Sequence, residues 1–330
     1  MAPFISIIIP NRNGEATIGL CLEAAHASRY EPFEVIVVDD HSEDGSIEVI
    51  ERFPCRLIRS GEHGGVSRAR NTGAAHGRGD VLFFTDADCL VEEDTLAIAA
   101  EAFSSNGPGT VIGGTYTQKP YDRGFFNSFQ SIFINYSECK KADDADYAAA
   151  HAMVIAADTF RKHRGFPEDF LPVAEDVEFS HRLRRAGLRI VINPRLRVRH
   201  IFNFSLYRSL RNAVFKSMNW TVYSIANRDV FADSGTASTE LKTTVGFYAI
   251  NAVLVLLFVV FGNPLFLYLT AGPIAASLWV SRGLMKAFHK GGGGAFAAAA
   301  GAYYLFVYPL AVGAGGFAGT VRYLGRRGRG

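Results

Sequence analysis

The residues that most constrain the fold are Val81-Leu82-Phe83-Phe84-Thr85-Asp86-Ala87-Asp88, an apolar run that stops at two carboxylates one residue apart. Four consecutive large apolar side chains predict a strand buried on both faces, as in a parallel sheet with helices above and below. The carboxylates then fall at the C-terminal edge, where ligands bind in open α/β sheets. In extended backbone residues i and i+2 point the same way, so Asp86 and Asp88 are expected to converge on one ion. Mg²⁺ or Mn²⁺ suits such a pair, being a hard cation that takes carboxylate and phosphate oxygens. Taken by itself, D-x-D fits a solvated turn better, because Asp is common wherever strands end.

The preceding residues repeat the pattern. Phe4-Ile5-Ser6-Ile7-Ile8-Ile9 predicts a strand that empties into the loop-forming cluster Pro10-Asn11-Arg12-Asn13-Gly14. A helix over 15–28 and a second buried strand, Glu34-Val35-Ile36-Val37-Val38, complete a βαβ unit. Its right-handed crossover makes the strands parallel and brings the Asn11 loop and Asp39-Asp40 to one sheet edge. A nucleotide base fits that crevice, with a carboxylate meeting its ring N–H groups; capping of the helix near 44–46 by Asp40 or Ser42 is the plainer alternative. Arg56-Leu57-Ile58-Arg59 predicts a short strand, and Gly64-Gly65-Val66-Ser67-Arg68-Ala69-Arg70-Asn71-Thr72-Gly73 a glycine turn opening a helix whose free N–H groups attract an anion. Arg68 and Arg70 either extend that field toward a diphosphate or are solvated, and solvation is the commoner state on a helix.

The chain has 330 residues, 48% of them hydrophobic, too many for one minimal domain and too apolar toward the end for a soluble one. Its net charge of +2 gives no general pull toward nucleic acid. Cys21, Cys55, Cys89 and Cys139 show neither C-x-x-C nor Cys/His metal spacing, so they are expected to be free thiols in a reducing compartment. The first residues carry no basic region followed by a long apolar stretch, so no signal sequence is expected there.

Five segments together resemble an inverting family-2 glycosyltransferase of the GT-A fold: Ser6 to Pro10, Val37 to Ser46, Gly65 to Gly73, Asp86 to Asp88, and Gly165-Phe166 through Glu175-Asp176, Arg182-Leu183 and Gly187. They span roughly the first 200 residues in the family's order, which makes the set far more specific than any one motif. The resemblance implies a mixed, mostly parallel α/β sheet flanked by helices over 1–203. It implies a nucleotide-sugar donor, a UDP-sugar being favoured, held by Pro10, Arg12, Asn13, Asp40, Gly65, Arg70 and Asp86. Asp86 and Asp88 would hold Mg²⁺ or Mn²⁺ on the diphosphate, with His200, at the end of Leu196-Arg197-Val198-Arg199-His200, as a further ligand. Inverting transfer needs a carboxylate to take the acceptor hydroxyl's proton, and the resemblance assigns this to Asp176, with Glu175 as its alternative or support; acidic residues in a first helical turn also arise from the helix dipole alone. Two residues depart from the family. Arg12 stands where an aromatic residue usually lies against the base, and His151 interrupts a segment that is usually glycine-rich and near the acceptor.

Phe83-Phe84-Thr85-Asp86-Ala87-Asp88 also resembles the strand end of haloacid-dehalogenase-like phosphatases and phosphotransferases, which usually begin with that strand. A nucleotide-sugar-binding membrane module without chemistry is the other alternative, and Asp176 argues against it.

Phe125, Phe126, Phe129, Ile132 and Phe133 recur at helical spacing, as core packing or as a membrane- or acceptor-facing surface. After a strand at Arg189-Ile190-Val191-Ile192 and a turn at Asn193-Pro194, the remainder is membrane-like. Residues 204–242 mix apolar side chains with Arg208, Arg211 and Lys216, as an interfacial helix would. Within 243–330, residues 245–261 and 264–280 are uncharged, and the Gly262-Asn263-Pro264 turn predicts a hairpin of two helices of roughly 26 Å each. Lys242 and Arg282 then face the cytoplasm, the catalytic domain sits on the cytoplasmic side of the inner membrane, and the acceptor is a lipid-linked or envelope glycan. Residues 295–321 are a third candidate span, opposed by Arg322 and the arginines after it.

Overall fold

The computed structural model describes residues 2–169, 174–230 and 232–327. The chain divides into two compact units: Met1–Asp122 with Glu138–Phe202, and Arg123–Ser137 with Asn203–Gly330.

The first unit is built on strands β1 (Ile5–Asn11), β2 (Phe33–Asp39), β3 (Arg56–Arg59), β4 (Val81–Phe84), β5 (Cys89–Val91), β6 (Thr110–Tyr116), β7 (Met153–Ala156) and β8 (Arg189–His200). They form one sheet in the order β3-β2-β1-β4-β7-β6-β8-β5. The half from β3 to β4 is parallel, β7 runs antiparallel to both β4 and β6, β8 is parallel to β6, and β5 closes the edge antiparallel to β8. Every residue of β1, β4 and β7 is buried, as strands covered on both faces must be. The β1/β2 register pairs Asn11 with Asp39, so the two loops that follow lie side by side. The β1/β4 register pairs Ile8 with Phe84, which brings the acidic turn after β4 to the same edge.

Two local expectations are corrected. Asn193-Pro194 is not a turn between strands but lies within β8, where the register with β6 jumps from Gly113↔Ile192 to Thr115↔Arg197. Proline cannot donate to a ladder, and a bulge absorbs it. Nor are Asp86 and Asp88 on extended backbone: β4 ends at Phe84, and Cys89 N–H bonds Asp86 O at 3.0 Å to close a turn. The alternation argument for their common direction therefore fails.

In the second unit, the aromatic stripe is core packing. Phe129, Ile132 and Phe133 are buried, and the ring of Phe129 lies 4.8 Å from Tyr303 and 5.3 Å from Phe288, centroid to centroid. Helix Leu206–Asn227 lies against Tyr308–Arg327 through Gly315 and Gly319, where a Cβ would stand 2.4 Å from Val214 O and 2.5 Å from Met218 O. Small residues four apart let two backbones approach in this way. Helix Thr239–Phe261 is 23 residues long, apolar enough by length and composition to cross a membrane, and almost none of its most apolar stretch is buried. The apolar stretch after it breaks at Thr270 into Leu265–Leu269 and Ala271–Val280. The second long apolar element is Arg282–Gly325, 44 residues, less than half of whose most apolar stretch is buried. It bends at Gly293 and passes through a π turn at Tyr303–Val307 just before Pro309, where the proline ring would otherwise press on the preceding turn's carbonyl.

Candidate active site

Three loops meet at the C-terminal edge of β1, β2 and β4. The two aspartates after β2 have separate tasks. Asp39 binds its own neighbourhood, accepting Asn11 Nδ2 at 2.9 Å, Ser42 N–H at 3.0 Å and Ser42 Oγ at 2.6 Å. Asp40 reaches across to the glycine turn, accepting Gly64 N–H at 2.7 Å and Gly65 N–H at 2.9 Å, with His63 Nδ1 2.7 Å away. His63 Nε2 lies 2.8 Å from Arg12 Nη1. Since guanidinium can only donate, Nε2 accepts and Nδ1–H donates to Asp40, giving a relay from Arg12 through His63 to Asp40. Helix Ser46–Ile50 is capped at Gly45 without a side-chain bond, so neither Asp40 nor Ser42 has the capping role. Asn13 N–H bonds Ser42 Oγ at 2.9 Å, and its own Oδ1 accepts Glu43 N–H at 2.8 Å, locking the first loop to the second; Pro10 is buried within β1. Gly65 sits at φ 86°, a conformation open to glycine, and opens helix Val66–His76. Its amide and that of Gly64 face an anion as expected of such a turn, and that anion is the Asp40 carboxylate.

On that helix Arg68 is exposed and pairs with Glu62, while Arg70 is 4% exposed. Arg70 Nη2 bonds Asp86 Oδ1 at 2.7 Å and Nη1 bonds Glu175 Oε1 at 2.8 Å. Its guanidinium lies 5.4 Å from the centre of the Phe166 ring. Phe166 is in turn fixed by Asn71, whose amide accepts Phe166 N–H at 2.9 Å and donates to Phe166 O at 2.8 Å. One turn of helix therefore ties the acidic turn after β4 to Gly165-Phe166 and to the start of helix Glu175–Arg185. Burial disfavours the charge on Arg70, but Asp86 and Glu175 outweigh it and hold its pKa above the ordinary value. Burial likewise raises Asp86, and the Arg70 charge overrides it, holding that carboxyl below the usual range.

Asp88 faces the other way. Its Oδ2 stands 3.5 Å from His200 Nε2, at the end of β8, and its Oδ1 3.7 Å from Cys89 Sγ. The ligand atoms of Asp88, Cys89 and His200 all lie within 4.8 Å of one another; Asp86, committed to Arg70, is outside that group. Burial and the neighbouring Asp86 charge push Asp88 up to about 7, although its side chain is 43% exposed. A carboxylate destabilised by a second carboxylate, with an imidazole beside it, is a donor set that fits a divalent cation.

Asp176 takes main-chain amides, accepting Ala150 N–H at 3.2 Å and Val177 N–H at 2.8 Å. Burial and the adjacent Glu175 charge push it up to about 7, against the lowering effect of Arg70. His151, next to that Ala150 amide, is buried and stacks on Tyr116 at 4.1 Å, with Nε2 3.6 Å from Glu138 Oε2. Burial lowers its pKa, and the Glu138 charge and bond raise it further than burial lowers it. No local pattern marks His63 or Glu138 as site residues. Cys89 had one, its adjacency to Asp88, which spacing rules for cysteine pairs do not register.

Residues 6–163 match the family model described as glycosyl transferase family 2. The chain carries a glycosyl transferase family 2 domain. It is 28% identical over 195 residues to the glycosyltransferase AglE of Haloferax volcanii, covering 56% of this chain and 62% of that protein. It is 27% identical over 131 residues to the glycosyltransferase GlyG of Streptococcus pneumoniae, covering 38% and 44%. The match thus spans less than two thirds of either relative. Among solved structures, the mannosyltransferase PcManGT from Pyrobaculum calidifontis, in complex with GDP-Man and Mn²⁺, superposes with a TM-score of 0.60 at 19% identity over 98% of this chain and 88% of that one. The family 2 domain therefore has the GT-A fold, a mixed, mostly parallel sheet with flanking helices. The haloacid-dehalogenase reading and the reading as a binding module without chemistry are not favoured.

Proposed function

We propose that the protein is a membrane-anchored, metal-dependent, inverting glycosyltransferase that moves a sugar from a nucleotide-sugar to a lipid-linked or envelope glycan acceptor. The observation that carries this reading is the Arg70 bridge, which fixes the donor-side turn of Asp86 and Asp88 against the acceptor-side pair Glu175-Asp176. The base of the donor lies in the crevice between β1 and β2, with Arg12 stacked on it and Asp40 and His63 holding Arg12 in place. Asp88 and His200 would hold Mg²⁺ or Mn²⁺, and a cation there would supply positive charge for the leaving diphosphate. Arg70 keeps Asp86 ionised and turned toward the helix, so Asp86 orients the donor side rather than completing the cation's ligand group. Asp176 accepts the proton of the acceptor hydroxyl as its oxygen attacks the anomeric carbon from the face opposite the leaving group. Its raised pKa makes it a stronger base than an exposed aspartate, and Glu175, tied to Arg70, supports it.

GDP-Man and Mn²⁺ in the mannosyltransferase of the same fold support the donor class, with a UDP-sugar remaining the donor favoured for this chain. The exposed apolar side chains of helix Thr239–Phe261, among them Val259 at 70% and Phe261 at 66%, support a lipid surface. Basic residues Arg208, Arg211 and Lys216 on helix Leu206–Asn227 support the cytoplasmic face of the inner membrane. The test is a panel of nucleotide-sugars, each with and without Mn²⁺, read by protection of the purified protein from thermal unfolding. One donor class should protect, and only with the cation. A panel in which no nucleotide-sugar protects overturns the reading.

A further inference from the structure

The β5/β8 register places Cys89 directly opposite His200. Directly paired residues of an antiparallel ladder project from the same face, so thiol and imidazole share one side of the sheet. Asp88 precedes Cys89 and leans into the same space, with Oδ1 3.7 Å from Cys89 Sγ and Oδ2 3.5 Å from His200 Nε2. A tetrahedral ion with metal–ligand bonds of about 2.0–2.3 Å keeps its ligand atoms about 3.3–3.8 Å apart. Each separation, taken to a different oxygen of the Asp88 carboxylate, falls in that range, and one ligand atom from each of the three residues lies within 4.8 Å of the other two, so a small rotation of the carboxylate brings a single oxygen to both. The cysteine is fully buried and the aspartate is 43% exposed, so the cluster has a closed floor and an open mouth through which an ion enters.

We propose that Cys89 contributes sulfur to the cation site of Asp88 and His200, so that the site takes a thiophilic divalent ion such as Zn²⁺ in preference to Mg²⁺ or Mn²⁺. This rests on the reading of Asp88 and His200 as the cation site. Oxygen-only ligands favour hard ions, whereas one sulfur and one nitrogen shift the preference toward Zn²⁺ and Co²⁺, which also lie above Mn²⁺ in the general affinity order. On binding, the S–H bond breaks, a metal–sulfur bond forms and the proton passes to solvent. Mg²⁺ or Mn²⁺ needs diphosphate oxygens to complete its shell; a soft ion held by oxygen, nitrogen and sulfur does not. Three protein ligands leave the fourth position open, as at a catalytic zinc site, and a diphosphate oxygen can fill it.

The experiment uses the full-length chain in detergent, stripped with chelator and titrated with Co²⁺ and Cd²⁺ in the absence of nucleotide. A thiolate-to-metal charge-transfer band should grow to one sulfur per ion, and competition should rank Zn²⁺ at least about tenfold tighter than Mn²⁺. Cys89→Ser should abolish the band, and Cys55→Ser, a distant thiol, should keep it. His200→Asn leaves the thiol in place and should shift the titration to about tenfold higher metal, which decides the matter even if the Cys89 variant does not fold. A missing band in the unaltered protein, a band that survives Cys89→Ser, or a titration unmoved by His200→Asn overturns the proposal. If the band is missing while Mn²⁺ still binds in the presence of a nucleoside diphosphate, the sulfur ligand alone is refuted; if Mn²⁺ fails to bind as well, the cation site falls with it.

Discussion

The Arg70 guanidinium holds Glu175 Oε1 at 2.8 Å from a helix more than 100 residues earlier in the chain. Of two adjacent carboxylates, one is thereby neutralised by a buried cation, and the other, Asp176, is left with main-chain amides and a pKa raised to about 7. The same guanidinium grips Asp86, so a single side chain pairs with a carboxylate at each end of the site.

Arg70→Met should therefore be severely destabilising, because it leaves the buried Glu175, and with it the part-exposed Asp86, without a counter-ion; breaking one partner out of a buried ion pair costs about 3–5 kcal/mol. Arg70→Lys keeps the charge but not the two-pronged fork, and should recover only part of the loss. Thermal unfolding of the two variants checks this. A melting temperature unchanged in the Met variant would mean that the bridge is not formed in solution.

Asp176 predicts a pH dependence. On the proposed roles, saturating donor and cation would engage Asp88, so kcat should rise with pH and level off above an apparent pKa near 7 as Asp176 loses its proton. Stability should move the other way. Burial and the Glu175 charge raise the folded-state pKa from about 3.9 in the unfolded chain, so the carboxyl's contribution is fully present below about pH 4 and is lost as pH rises through 7. Asp176→Asn should accordingly melt higher than the unaltered protein at about pH 8 and at nearly the same temperature at about pH 4. A flat kcat profile between about pH 5 and 9 would remove Asp176 as the base.

The β1-β2-β3-β4 half of the sheet was legible because β1, β2 and β4 are apolar runs that stop at polar loop residues and short β3 pairs beside β2, and parallel βαβ geometry leaves little choice of register. The antiparallel half was not. β5 is three residues long, and Asn193-Pro194 looks like a turn unless the bulge in β8 is known. Arg70 shows the same limit within the site: a helical arginine is usually solvated, and its burial here depends on Glu175, 105 residues away, which no local pattern reports. Asp86 and Asp88 were legible as an acidic pair, but their division between Arg70 and His200 follows from a turn that strand alternation misdescribes.

Helix Thr239–Phe261 supplies a prediction on anchoring. Val253 is 54% exposed near its middle. If water surrounds it, Val253→Arg should change stability by no more than about 0.5 kcal/mol; inside a bilayer the same change costs about 2.5–3.5 kcal/mol. The unaltered chain should resist extraction by alkaline carbonate, and the Arg variant should be depleted from the membrane fraction. Release of the unaltered chain by carbonate would refute the span.

The division of labour between Asp88 and Asp176 gives the sharpest contrast. Asp176→Asn keeps shape and hydrogen-bonding capacity but removes the basic carboxylate, so donor binding should survive while transfer falls by roughly 100-fold or more, the usual share of a general base. Asp88→Asn removes the proposed cation ligand 3.5 Å from His200, so nucleotide affinity should fall along with transfer, and the dependence of that affinity on Mn²⁺ should largely disappear. Donor binding by calorimetry, with and without Mn²⁺, alongside turnover separates the two roles. Near-normal transfer in the Asp176 variant would move the base to Glu175, which Arg70 would then have to release. Loss of donor binding in that same variant would make Asp176 a structural residue of the turn that Ala150 and Val177 hold, and the acceptor-side chemistry would have to be sought at His151 and Glu138, the nearest buried acid–base pair described beside it.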